Sequence, residues 1–109
     1  MSQMALPSPI FITGATGFIG RPLTRRLLEE GIDVAALVLP GERDALPAGV
    51  RPFVGDITDA DAVRAAVAES RPAALLHLAA VGITQPGLPA AEALRVNVGG
   101  TLALLDAAR

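Results

Sequence analysis

Gly14, Gly17 and Gly20 are spaced by three directly after the apolar run Ile10–Thr13, and a helical pattern starts where they end. This arrangement suits a pyrophosphate. A glycine in the turn supplies unusual backbone dihedrals, and later glycines let the backbone approach the ligand and the helix approach the sheet. The helix that opens there directs unpaired N–H groups and a partial positive charge at the phosphates. Two further residues stand out. Asp56 follows the third apolar run, where it suits either a hydrogen bond to a ligand donor or a turn ahead of the next helix. His77, the only histidine, ends the fourth run, where a lone imidazole reads as a hydrogen-bonded packing residue rather than a base.

The elements that must position these residues alternate. Residues 10–13 form the first strand. Residues 18–30 carry Phe18, Ile19, Pro22, Leu23, Leu27 and Leu28 at helical spacing, with arginines and glutamates on the wet face. Pro22 falls in the first turn and Gly31 where a left-handed cap is expected. Residues 34–39 are continuously apolar, as in a parallel strand covered on both faces. A third strand over 50–54 and a helix over 60–69 follow, the helix capped by Thr58 or Asp59 with Val63 and Val67 facing inward. A fourth strand spans 74–79, residues 82–89 read as a loop, and residues 90–109 are helical with an interruption at Gly99-Gly100. Strands and helices in this order predict a right-handed parallel α/β sheet with its site beyond the carboxyl ends of the strands.

Composition narrows the partners. A chain of 109 residues holds one domain, and 51% hydrophobic residues give it a substantial core. The net charge is −2 and the nine basic residues, all arginine, are scattered, so nucleic acid is not an expected partner. With no cysteine and one histidine, disulfides, thiolate chemistry and a metal cluster are not expected. No basic region followed by an apolar core opens the chain, and no apolar run approaches the ~18 residues of a membrane span. A cytoplasmic protein without membrane contact is the expectation. The Gly-x-x-x-x-Gly-Lys-Ser/Thr pattern of phosphate-loop hydrolases is missing.

Four segments, Thr13-Gly14-Ala15-Thr16-Gly17-Phe18-Ile19-Gly20, Gly55-Asp56-Ile57-Thr58-Asp59, His77-Leu78-Ala79-Ala80 and Asn97-Val98-Gly99-Gly100-Thr101, occur in order. Together they resemble the extended short-chain dehydrogenase/reductases, the NAD(P)-dependent sugar-nucleotide epimerases, dehydratases and reductases. The resemblance covers nearly the whole chain. It implies a three-layer Rossmann-type parallel sheet, partial at about four strands, with flanking helices. Residues 1–109 would then be one NAD(P)-binding domain. By the same resemblance Gly14, Gly17 and Gly20 form the pyrophosphate turn together with Thr16, and Phe18 and Ile19 present backbone N–H groups to the phosphates. Asp56 would accept from the adenine amino group, and the Ile57 backbone would read the adjacent ring nitrogen. Leu78, Ala79 and Ala80 would line the cofactor, and Asn97 would brace the end of the fourth strand from the following helix.

The chain departs from the family pattern in two places. An acidic residue about twenty positions past the glycine turn binds the ribose of NAD, whereas a basic one favours NADP. Here the second strand ends Leu37-Val38-Leu39-Pro40-Gly41 with neither charge, and Asp33 sits at its wrong end. Arg43 is placed to swing toward a 2′-phosphate and Glu42 toward a ribose. The choice stays open, with a lean to NADP from the resemblance of residues 37–41 to relatives carrying arginine before that proline. The family also works through Tyr-x-x-x-Lys, and this chain has neither tyrosine nor lysine. It is therefore expected to be the cofactor-binding part of such an enzyme, stopping before the catalytic part, with no catalytic residue and no turnover alone. The alternative is a non-catalytic dinucleotide-binding sensor or regulatory module. Leu94, Val98, Leu102 and Leu105 form one apolar stripe on the last helix, which predicts a homodimer through it.

Overall fold

In the computed structural model, which describes residues 6–81 and 85–109, every apolar run is a strand and every amphipathic run a helix. The order is β1 (Ile10–Thr13), α1 (Gly20–Glu29), β2 (Val34–Val38), a 3-10 turn (Arg43–Ala45), β3 (Arg51–Val54), α2 (Ala60–Ser70) and β4 (Ala74–His77). A last helical stretch joins α3 (Ala90–Ala93), a π-helical turn (Leu94–Gly99) and α4 (Gly100–Ala107). The four strands are parallel in the order β3-β2-β1-β4. The chain winds outward from β1 through β2 to β3, then returns to lay β4 on the other side of β1. At such a reversal the loops leaving β1 and β4 diverge and open a crevice at the carboxyl edge.

Strand periodicity makes the sheet two-faced. Ile10, Ile12, Val34, Ala36 and Val38 face one way and pack with Leu23, Leu27 and Leu28 of α1. Phe11, Ala35 and Leu37 face the other way and pack with Val63, Ala66 and Val67 of α2 and Leu104 of α4. The result is the three-layer α/β fold expected from the sequence. β1 and β2 are buried at every position, which explains their unbroken apolar runs.

Boundary differences have local causes. α1 begins at Gly20, two residues later than its apolar pattern, and Phe18 and Ile19 are 98% and 64% exposed rather than set in the core. The tight turn through Gly14 carries them outward, and the sheet-facing side of α1 is instead Gly20, Thr24 and Leu27. Gly31 does end α1 at φ +78°, with its N–H on the Leu28 carbonyl and that of Ile32 on the Leu27 carbonyl, a Schellman cap. Asp59 rather than Thr58 caps α2, accepting from the Ala62 N–H at 3.2 Å.

β4 stops at His77, short of the expected residue 79, because the Leu78 and Ala79 N–H groups turn to the Thr13 hydroxyl. Gly99-Gly100 does not interrupt the last helix. Helical geometry continues through both, and Gly100 lets that helix close on α2's approach, since a Cβ there would lie 2.8 Å from Ile57 Cγ1. Of the loop expected over residues 82–89, residues 82–84 lie outside the described part.

Candidate functional site

The carboxyl edge holds a cleft of about 430 Å³. Its floor is the end of β1 with the loop through Gly14, Thr16 and Gly17; Leu37 and Leu39 come from the end of β2, and Asp56 and Ile57 follow β3. Leu78 to Val81 form the wall after β4, and Glu92, Arg95 and Val96 close it from the last helix.

The three glycines do different work. Gly14 adopts φ +77°, and a Cβ there would stand 2.7 Å from Ala79 N and Leu78 C. Gly20 packs so closely that its Cβ would lie 1.9 Å from the Gly14 carbonyl oxygen. Both are required by the fold itself. Gly17 has an ordinary φ, and its Cβ would meet only the Gly14 oxygen at 3.3 Å. The fold has little need of glycine there, so what glycine preserves at 17 is open space on the cleft floor. Beside it the N–H groups of Phe18, Ile19 and Gly20 have no acceptor among the described residues, and α1 carries neither a side-chain cap nor an acidic residue in its first turn. Pro22 adds no donor of its own. The Arg21 guanidinium folds back onto the Thr16 carbonyl at 3.3 Å and adds positive charge at the loop. An anion fits this loop without displacing any partner.

At the other end, Asp56 Oδ1 accepts from both the backbone N–H (2.9 Å) and the hydroxyl (2.7 Å) of Thr58. The Thr58 N–H, then its hydroxyl, hold the carboxyl below the usual range, against a small opposing effect of burial. Oδ2 keeps its acceptor capacity, with no hydrogen-bond partner among the described residues. Arg95 lies across the cleft in a two-point pair with Glu92, at 3.0 Å from Nε and 2.5 Å from Nη2.

Between the two ends, Glu42 is pinned at the rim. Its Oε1 accepts from Leu39 N at 3.0 Å, and its Oε2 stands 3.5 Å from the Thr16 hydroxyl.

The structure thus brings Gly14, Thr16, Gly17, Asp56, Ile57, Leu78, Ala79 and Ala80 together on one cleft. Phe18, Ile19 and Gly20 are not among the lining residues: the first two are exposed just past Gly17, and Gly20 packs against Gly14. Arg43 is not among the lining residues; it is exposed in the 3-10 turn, and its neighbour Glu42 occupies the rim instead. Asn97 also stands off the cleft. It braces the wall, with Oδ1 accepting from Val81 N at 2.8 Å and Nδ2 donating to Val81 O at 3.0 Å. Glu92, Arg95 and Val96 escaped the sequence pattern. An i, i+3 acid-base pair on a helix reads as a solvated face, and nothing in the spacing announces the π turn that aims it at the cleft.

Residues 10–109 match the NAD dependent epimerase/dehydratase family. The chain belongs to that family. It is 37% identical over 103 residues to a 3-diazoavenalumate denitrifying reductase of a Streptomyces species, a match covering 92% of this chain and 33% of the relative. A dTDP-glucose 4,6-dehydratase of Mycobacterium tuberculosis is 37% identical over 109 residues, covering 92% of this chain and 32% of its own length. The Thermus thermophilus UDP-glucose 4-epimerase, solved in complex with NAD, superposes with a TM-score of 0.74 at 35% identity, covering 90% of this chain and 32% of that one. The family member described here thus spans about a third of the relatives it matches.

Proposed function

We propose that this chain is the dinucleotide-binding part of a nucleotide-sugar epimerase, dehydratase or reductase, and that it holds NAD across the carboxyl edge of its sheet. The observation that carries this is the loop after β1, where Gly17 keeps the cleft floor bare beside three N–H groups at the start of α1 that have no acceptor among the described residues. Phosphates sit on that loop, Glu42 takes the ribose hydroxyls, and the free Oδ2 of Asp56 accepts from the adenine amino group. Leu78, Ala79 and Ala80 give the remaining length a smooth, small-residue wall. Bound there, the dinucleotide supplies hydride exchange at its nicotinamide ring, while this chain binds and orients it. With no tyrosine and no lysine among its 109 residues, the Tyr-x-x-x-Lys chemistry of the family has to come from outside them.

Glu42 also reverses the lean to NADP. A carboxylate held at the ribose position accepts hydrogen bonds from a 2′-hydroxyl and repels a 2′-phosphate, whereas Arg43 is exposed and does not line the cleft. Like charges about 4 Å apart cost roughly 1–4 kcal/mol at a protein surface. NAD is accordingly expected to bind about ten- to hundredfold more tightly than NADP. Calorimetric titration of both cofactors into the chain and into Glu42→Ala tests this: the variant should lose most of the discrimination, and a native chain that prefers NADP refutes the assignment.

A homodimer through the last helix rests on its exposed apolar stripe. Leu94, Val98, Leu102 and Leu105 are each at least 50% exposed along one side, beyond the contacts that hold the helix to the sheet. Apolar area left wet forgoes roughly 25 cal/mol per Å². The chain is expected to sediment as a dimer, and Val98→Glu with Leu102→Glu to sediment as a folded monomer. A native chain that stays monomeric at every concentration refutes it.

A further inference from the structure

His77 is in register with Thr13 on the neighbouring strand, and its ring is held at both nitrogens. Thr13 Oγ1 lies 2.6 Å from Nδ1, and Thr101 Oγ1 lies 2.8 Å from Nε2. Counting protons fixes the directions. Thr101 Oγ1 also lies 2.6 Å from the Asn97 carbonyl oxygen, which only accepts, so the single Thr101 proton goes there and Thr101 can only accept from the ring. Nε2 therefore carries a hydrogen. On the other side, Thr13 Oγ1 accepts from Leu78 N at 3.1 Å and Ala79 N at 3.2 Å, which uses both of its lone pairs. Its own proton is left for Nδ1, which must be bare.

We propose that His77 is a positioning residue of the cleft wall, a neutral imidazole locked as the Nε2–H tautomer, whose protonation loosens that wall and weakens cofactor binding. A charged ring puts a hydrogen on Nδ1 and aims a third donor at a Thr13 oxygen that has two lone pairs. One donor has to let go. The Leu78 N–H has a second acceptor in the Thr13 carbonyl at 3.0 Å, so it is the donor that gives up the hydroxyl, and the Thr13 hydroxyl proton loses its acceptor at Nδ1. Leu78 C and Ala79 N would each stand 2.7 Å from a Cβ at Gly14, so the loosened junction lies against the glycine turn.

Charged neighbours do not set the ring's behaviour. From the elements around it, Arg95 is paired with Glu92, Arg64 with Asp61 and Asp106 with Arg109, while Glu69 of α2 is exposed. Asp56, across the cleft, is bonded to Thr58. Burial alone pushes the His77 imidazole below its ordinary pKa. The sign follows. The unfolded chain binds the proton first, so the clamp is intact above the ordinary imidazole value of about 6.5 and is lost as pH falls through the lower folded value.

The single imidazole makes the test direct. A long-range nitrogen-proton spectrum of the chain above about pH 6.5 should show Nε2 protonated and Nδ1 bare. An Nδ1–H or charged ring there overturns the proposal. As pH falls through the ring's titration, the Leu78 amide shift should move with the ring's midpoint as it gives up the hydroxyl, while Ala79 keeps its bond. A Leu78 amide shift that does not follow the ring also overturns it. Over the same range NAD affinity should fall about five- to tenfold, the worth of about one hydrogen bond, and His77→Gln should show no such fall. An equal pH slope in both proteins counts against the proposal. The pH effect on cofactor rests on the NAD assignment above, but the tautomer and the Leu78 amide are read without ligand. A chain that bound no NAD at any pH would therefore overturn that assignment, and His77 would still be judged by its own spectrum.

Discussion

A Gly17→Val chain is expected to fold and to lose NAD binding by at least a hundredfold, about 2.7 kcal/mol. The substituted Cβ meets only the Gly14 carbonyl oxygen at 3.3 Å, a contact relieved by a shift of a few tenths of an ångström. The backbone at 17 is ordinary, so no left-handed strain is added. The valine methyls, however, would stand on the cleft floor beside the Phe18 and Ile19 N–H groups, where a phosphate has to approach within hydrogen-bond distance. Calorimetry with NAD, run beside a circular-dichroism melt, separates the two effects. Unchanged affinity in a folded variant would remove the phosphates from this loop.

Gly20→Ala is expected to do the opposite and strike the fold. Its Cβ would lie 1.9 Å from the Gly14 oxygen and 2.8 Å from the Gly14 carbonyl carbon, both backbone atoms inside a turn that β4's continuation already presses from the other side. No side chain is available to move, so α1 has to lift from β1 and open the core around Ile12 and Leu27. A loss of about 3 kcal/mol or more follows, a fall in Tm of at least roughly 12 °C. Gly31→Ala is the control. Gly31 has φ +78° but nothing within 4 Å of a Cβ, so it should lose only about 1 kcal/mol, from backbone strain. Equal melts for the two variants would mean that positive φ, not close packing, governs this turn.

These glycines mark what sequence could and could not convey. The run Ile10–Thr13, the alternation of apolar runs and amphipathic helices, and Gly31 were legible because periodicity and capping are local. So were most of the cleft residues, since Gly14, Asp56 and Leu78 follow strands that must end at one edge. What spacing could not show was which glycine serves packing and which serves space, because Gly17 and Gly20 look alike until a Cβ is placed on each. Phe18 and Ile19 fit the helical period and still point outward, because the turn at Gly14 overrides it. Arg43 and Glu42 are adjacent in sequence, and only the 3-10 turn decides that the acid faces the rim. Gly99-Gly100 reads as a break, but Gly100 serves as a contact surface for Ile57, a long-range requirement that local propensity does not contain.

The strand order carries a last consequence, for the sequence of folding events. β1 and β2 pair across a short connection, Ile10 with Val34, whereas β4 joins β1 across a much longer one, Ile10 with Ala74. Closing the longer loop costs more chain entropy before any contact rewards it. By that measure β1, β2 and β3 are expected to pair first and β4 to dock last of the strands, bringing the Thr13–His77 bond with it. The phosphate loop is assembled while its wall is still missing, and only a chain that has completed its slowest pairing presents a finished cleft.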